Sequence, residues 1–318
     1  LGGGTSGGNM IYTRGAPAVF NNWTIFGGSK WVYSHILQTF KELETYIGVT
    51  QAPLQRGTSG PIASLQTTVT PALINPIIRQ AMTNITGIPT KSDYNDGDEL
   101  VISEKIQYFQ KPAVVPGGIA RSSSSNSFLG QHVMTHSGHG VGGRKLLVKF
   151  NATVDGILFD CNNNAIGVQY IEQGITRRAY ACKKVILCAG IQTPCILQRS
   201  GLGSASLLNS LGIQVIYDNP NIGLNLWNHP DLNMVANTNN LGALAGSYPI
   251  GFFANPVIGD TQRRIEVITT PTPALLFNPI ITAQQNIGTS GDFGFQAQDL
   301  SPVSRGTVKI NSKDPFTL

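Results

Sequence analysis

Charge is scarce in this sequence. Lys, Arg, Asp and Glu make up 12% of its 318 residues, about half the usual share. The net charge of +5 is not gathered in one place. Its adjacent basic pairs are Arg144-Lys145, Arg177-Arg178, Lys183-Lys184 and Arg263-Arg264. A nucleic-acid surface concentrates such charge on one face or tail, so specific nucleic-acid recognition is not expected. Long apolar runs are also missing: no eighteen consecutive apolar residues occur, so no membrane span is expected. The four cysteines, Cys161, Cys182, Cys188 and Cys195, form no Cys-x-x-Cys pair, which excludes zinc-ribbon and thioredoxin-like readings. Cys188 and Cys195 lie in apolar stretches and are expected to be buried as small hydrophobes. The letters Gly-x-Ser-x-Gly occur at Gly4 to Gly8, but no strand precedes them to form a nucleophile elbow, so a serine hydrolase has no support. The chain opens on Leu1-Gly2-Gly3 rather than Met and reads as a piece of a longer chain.

Hydrophobic residues at 41% are ample for a core, and the length suits one large α/β domain or two intertwined ones. Trp31 to Ile47 carries apolar residues at helical spacing and predicts an amphipathic helix. Thr70 to Thr86 predicts a second, with Pro71 near its first turn and Gly87 at its stop. From Lys145 the pattern changes to short strands: 146–150, 152–159, 165–171 and 177–182, with Asn162-Asn163-Asn164 as a turn. Past His229, several strands with Pro/Gly punctuation are expected, and no recognisable pocket is encoded in 110–145 or 235–300.

The most informative stretch is Lys184 to Gly203. Val185 to Cys188 reads as a buried strand ending in Ala189-Gly190. Thr193-Pro194 opens an apolar helix, and Ser200-Gly201-Leu202-Gly203 stops it. Small residues at a strand end let a large ligand approach the backbone, and open α/β sheets bind ligands at the carboxyl ends of their strands.

Five ordered blocks extend this pattern. They are Leu1 to Gly15 with Phe20-Asn21-Asn22-Trp23, Gly57-Thr58-Ser59-Gly60-Pro61, Asp93-Tyr94-Asn95 with Gly97, residues 145–203, and Val215 to His229. Ser304-Arg305-Gly306 with Asp314-Pro315 adds a sixth, weaker one. Together they resemble the GMC (glucose-methanol-choline) oxidoreductases, which are FAD flavoproteins. The resemblance implies an α/β (α+β composite) fold, with a doubly wound FAD-binding domain (1–62 and 141–230) interleaved with an antiparallel-sheet substrate domain (63–140 and 231–318). It implies FAD held by Gly2, Gly3, Thr5, Gly8, Asn9 and Met10, with Val154 toward the adenine and Ala189 and Gly190 near the dinucleotide. Backbone N–H groups of such loops cradle phosphate, and bulk there would block approach. The implied reaction is oxidation of a small-molecule alcohol by hydride transfer to flavin, with self-association into a homo-oligomer as a further option.

This sequence departs from the family pattern in places. Gly8 and Asn9 stand in reversed order, and Ile191 follows Gly190 where a small residue is usual. Gly2-x-Gly4-x-x-Gly7 has the letters of a dinucleotide fingerprint but no preceding strand. That fingerprint is expected before Leu1 and the catalytic His pair after Leu318, so no catalytic residue is assigned. The isolated chain is expected to hold flavin poorly and to turn over no alcohol. An alternative is a GMC-fold structural or virion scaffold, since Leu197-Gln198-Arg199-Ser200-Gly201 is similar to some giant-virus members. An aldol-type lyase on the same fold is a third reading.

Other candidates read as structural. His132, His136 and His139 could face a metal on a helix, but Ser137-Gly138 and Gly140 break one there, so no metal is expected. His229 reads as a hydrogen-bonding residue. The acidic loop Asp93 to Glu99 lacks the twelve-residue calcium pattern and is expected to be a solvated turn. Ser122 to Ser125 reads as a turn-rich link.

Overall fold

Proline and glycine set the first helices. The computed structural model describes residues 3–72, 74–113, 118–237, 248–270 and 292–317. After the short turn α1 (Gly4–Gly7), α2 (Pro17–Gly27) begins with Pro in its first turn and stops at Gly28, whose φ is 75°. Pro suits that start because its missing N–H would have no helical partner anyway. Buried Phe20 of α2 packs edge-on against Phe40 of α3 (Tyr33–Leu43). The predicted Trp31–Ile47 helix thus ends early: at Glu44 the chain extends into β1 (Glu44–Ile47).

Strand β1 pairs in parallel with β2 (Ile62–Gln66), Glu44 opposite Ile62. The turn between them passes directly over the end of α3. A Cβ at Gly57 would overlap the carbonyls of Lys41 and Glu44, and one at Gly60 the backbone of Leu43. Glycine at 57 and 60 therefore answers a close backbone approach.

Helix α4 (Asn75–Thr86) carries Pro76, not Pro71, in its first turn and ends in the left-handed cap Gly87. It leads to β3 (Thr90–Lys91), β4 (Val101–Ser103), β5 (Gln107–Tyr108), β6 (Gln110–Pro112), β7 (Ile119–Arg121) and α5 (Ser124–Phe128). Ser122 and Ser123 are buried, and Ser123 caps α5 by accepting from Asn126 N at 3.3 Å. The serine run is thus a helix start, not a link.

The chain divides into two compact units. The first is Leu1–Gly130 with His229–Pro302; the second is Gln131–Asn228 with Val303–Leu318. In the second, β8 (Ala152–Phe159), β9 (Ala165–Glu172) and β10 (Ile175–Tyr180) form an antiparallel meander. Gln173 and Gly174 close its second hairpin, both with positive φ, as a tight two-residue turn requires. Helix α6 (Thr193–Arg199), β11 (Leu202–Gly203), α7 (Ala205–Ser210) and β12 (Tyr217–Asp218) follow, β11 and β12 pairing in parallel.

Two expected strands of this unit are absent. Residues 146–150 make one isolated bridge, His139 to Leu147. Val185 to Cys188 has no ladder partner among the described residues. Ile186 is 78% exposed, and Cys188 is exposed rather than buried. An apolar run becomes a strand only where a neighbour takes its N–H and C=O groups.

In the first unit the chain ends in β13 (Asp231–Asn237), β14 (Ile250–Phe253), β15 (Ile265–Thr270) and β16 (Asp292–Asp299). These join β3 and β4 in a six-stranded sheet of order β13-β16-β15-β14-β4-β3. Period-two alternation sends side chains to opposite faces. One face gathers Ile102, Phe253, Ile265 and Val267, with Ile78 and Met82 of α4 nearby. The other gathers Val101, Ile250, Phe252 and Ile268 with Tyr94 and Ile106. No described helix is long and apolar enough to cross a membrane.

Candidate functional site

A cleft of about 290 Å³ opens between the glycine-rich entry and this second sheet face. Its floor comes from two neighbouring antiparallel strands. Glu266 pairs with Gln298 and Ile268 with Gln296, so all four side chains share one face and line the cleft. Its wall is Gly8, Asn9 and Met10, with Phe109 beside them. That wall is pinned through its backbone: Phe109 N donates to Met10 O at 2.7 Å and Tyr12 N to Gln107 O at 2.8 Å. Met10 sits at φ 66°, a left-handed conformation that costs a non-glycine residue about 1–2 kcal/mol.

Below the wall lies a buried ionic knot. Glu44 Oε2 is 2.6 Å from Arg14 and Oε1 is 2.7 Å from Arg56, the second out of hydrogen-bond alignment. Asp93 Oδ1 accepts from Gln107 at 2.7 Å and from Asn95 N at 2.9 Å, with Arg56 at 3.4 Å. Asn95 Nδ2 donates to Tyr12 O at 2.9 Å and Tyr94 Oη to the same carbonyl at 3.0 Å. The first part of the loop expected to be solvated, residues 93–96, is therefore core, while 97–99 keep partial exposure. Asp93 is fully buried, and Asp96 is buried with Lys91 against it. A charge-poor chain places these carboxylates where guanidinium groups and amides can satisfy them.

The sequence-assigned cofactor residues fall into two groups. Gly3, Thr5, Gly8, Asn9 and Met10 lie together in the first unit; Gly2 is outside the described residues. Nothing stands within 4 Å of where a Cβ would project at Gly3, Gly4 or Gly7, which leaves backbone open to a ligand. Gly8 differs, because its Cβ would meet Gly4 O at 2.7 Å; glycine there closes the turn. Thr5 Oγ1 accepts from Ser124 N at 2.9 Å, and Arg121 donates to the carbonyls of Thr5 at 2.9 Å and Gly8 at 3.0 Å. These bonds tie the α1 turn to α5 and to β7.

Val154, Ala189 and Gly190 lie in the second unit. Val154 O faces Arg199 at 3.4 Å, and Ala189 N donates to Thr193 Oγ1 at 3.1 Å. Gly190, at φ 58° with open space at its Cβ position, lines an apolar cleft of about 310 Å³ with Gly223, Leu224 and Val308. Val154 is not part of that cleft. Among the described residues, no group of three or more His, Cys, Asp or Glu is placed to hold a metal.

Sequence reasoning missed Glu266. Burial pushes its carboxyl up to about 7, with Arg263 pulling the other way. A lone acid inside the apolar run Ile265-Glu266-Val267-Ile268 was its signal.

Residues 120–231 match the family model of the GMC oxidoreductases. The chain is 29% identical over 347 residues to an oxygen-dependent choline dehydrogenase of Acinetobacter baumannii (strain AYE), covering 99% of this chain and 58% of the relative. Against the protein of the same description from Escherichia coli O157:H7, identity is 29%, with coverage of 99% and 57%. Formate oxidase of Aspergillus oryzae RIB40 superposes with a TM-score of 0.75 at 20% identity, over 100% of this chain and 61% of that one. Pyridoxine 4-oxidase of Mesorbium loti gives 0.74 at 20%, over 96% and 57%. The fold is thus the one these solved oxidases share, and the family model matches over residues 120–231. The chain spans about 58% of the length of the curated relatives it matches.

Proposed function

We propose that residues 1–318 are an internal portion of an FAD-dependent GMC oxidoreductase that oxidises the CH–OH group of a small alcohol. The cleft beneath Asn9 and Met10, with unfilled space at Gly3 and Gly4, carries this reading. It is supported by the family match over 120–231 and by relatives that extend well beyond the matched region. Residues 1–62 and 141–230 would contribute the FAD-binding domain, and 63–140 and 231–318 the substrate domain.

The open backbone fits the cofactor. Gly3 and Gly4 would approach its phosphates, Asn9 and Met10 would border the flavin edge, and Val154, Ala189 and Gly190 would serve the adenine half. FAD supplies the hydride acceptor. The chain's own residues orient and enclose. The backbone bonds of Met10 and Tyr12 hold the wall in place, while Ile268 and Phe109 exclude water from one side of the cleft. Gln296, donating to Asp231 at 2.8 Å, holds a fixed amide there.

The complete natural protein is expected to purify with a stoichiometric visible flavin band that bleaches anaerobically with an alcohol, and residues 1–318 alone to bind FAD weakly. A complete protein with neither flavin nor bleaching would overturn this reading and leave the scaffold alternative.

A further inference from the structure

Helix α2 carries an apolar stripe turned to solvent. None of its 11 residues is charged. Phe20 points inward and is buried. Val19, Trp23 and Phe26 fall at positions i, i+4 and i+7, the spacing of one helix face. That face is not covered: Phe26 is 92% exposed and Trp23 45%. Trp31, 42% exposed, widens it, because the chain turns back at Gly28 and sets the Trp31 ring edge-on to Trp23 at 5.4 Å. Gly27 permits the return, since a Cβ there would overlap the Trp31 ring. Ile25, 77% exposed, flanks the stripe.

The patch is held in shape from beneath and from its sides. Phe20 packs edge-on to Trp23 at 5.1 Å. Tyr33 N donates to the Asn21 amide at 3.0 Å, and Asn22 donates to Gln262 at 3.3 Å. These amides give the apolar centre a polar, uncharged rim, which is the anatomy of a protein–protein interface. Trp23, Ile25, Phe26 and Trp31 together expose about 500 Å² of apolar surface. A contiguous patch of that size marks an interaction site.

We infer that this face joins two copies of the chain about a two-fold axis, α2 against α2. Three features select a second copy. In an isologous contact the same patch meets itself, so a charged patch would set like charges against each other; α2 has none to oppose. A helix that lies on a membrane surface carries Lys and Arg opposite its apolar face; the one basic residue between Pro17 and Tyr33 is Lys30, outside the helix. Finally, pairing two such faces removes about 1,000 Å² from water, the lower bound of a specific interface. The rings are already fixed by their neighbours, so association costs little side-chain freedom. The expected product is a dimer in micromolar equilibrium with its monomer. The contact lies within the first unit and does not depend on the flavin reading.

The test is the mass of the complete natural protein and of the 318-residue chain, by light scattering or sedimentation velocity at about 100 µM, well above a micromolar dissociation constant. Both are expected at twice the monomer mass. Both should stay there in about 1 M NaCl, since no ion pair crosses the face. Phe26→Glu places a charge in the contact and should weaken the dimer at least about 100-fold, with the melting temperature unchanged because that side chain already stands in water. Should it misfold, Phe26→Ser is expected to weaken the dimer about tenfold or more by lost apolar area alone. Monomers in both native forms, or a dimer unaffected by either substitution, overturn the inference. So does a 318-residue chain that pairs while the complete protein stays monomeric, for then the rest of the protein covers α2. Monomers that instead sediment with neutral phosphatidylcholine vesicles would make the face a membrane contact and overturn it as well.

Discussion

Glu44 and Arg14 meet at 2.6 Å with both side chains almost wholly out of solvent. The same carboxylate reaches Arg56, and Gly57 N donates to it at 2.9 Å, so one acid fixes the end of α3, the entry segment and the glycine turn.

Glu44→Gln removes the shared counter-charge, leaving buried Arg14 without an acid and Arg56 with Asp93 alone at 3.4 Å. A loss of about 3–5 kcal/mol is expected, read from urea denaturation midpoints. A loss below about 1 kcal/mol would mean the knot is solvated in solution.

The glycines separate into two kinds. Gly57→Ala forces a methyl onto the carbonyls of Lys41 and Glu44 and should destabilise by at least about 2 kcal/mol. Gly4→Ala meets nothing within 4 Å and should leave the melting temperature nearly unchanged while weakening flavin binding in the complete protein. Equal melting losses in both would refute the distinction.

Glu266 also gives stability a pH dependence. Its folded value, about 7, lies above its ordinary 4.5, so the native state holds a proton that the unfolded chain releases. Stability is therefore expected to fall as pH rises from about 4.5 through 7, by up to about 3 kcal/mol. Glu266→Gln should flatten that slope. Denaturation midpoints at several pH values check both expectations.

Gln198 anchors the second unit. Its amide donates to Ile222 O and Val308 O, each at 3.1 Å, and accepts from Ile310 N at 2.9 Å. Gln198→Leu leaves those groups unsatisfied in the interior and should cost about 2–4 kcal/mol. Proteolysis within 303–318 should accelerate; an unchanged cleavage rate would count against the anchoring role.

Elements whose signals are local were legible. The capped helix ending at Gly87, the β8–β9 hairpin and the Thr193-Pro194 helix start all follow from neighbouring residues. Elements that depend on distant partners were not. Val185 to Cys188 has strand composition but finds no neighbour among the described residues. Asp93 looks like surface until Arg56 and Gln107, far along the chain, enclose it. The glycine-rich segment that walls the first cleft stood out in the sequence by its motif. Its floor was not, because Glu266, Ile268, Gln296 and Gln298 converge only through strand register, which a single sequence does not display.

Arg263 draws together carbonyls of Arg14, Tyr94, Asp98 and Glu99. During synthesis at about 5–20 residues per second, those early carbonyls wait many seconds for their donor to leave the ribosome. The first unit cannot close until residues 131–228 of the second have been translated, so Val101 and Ile102 of β4 stay uncovered on the nascent chain until β14 arrives to pair with them.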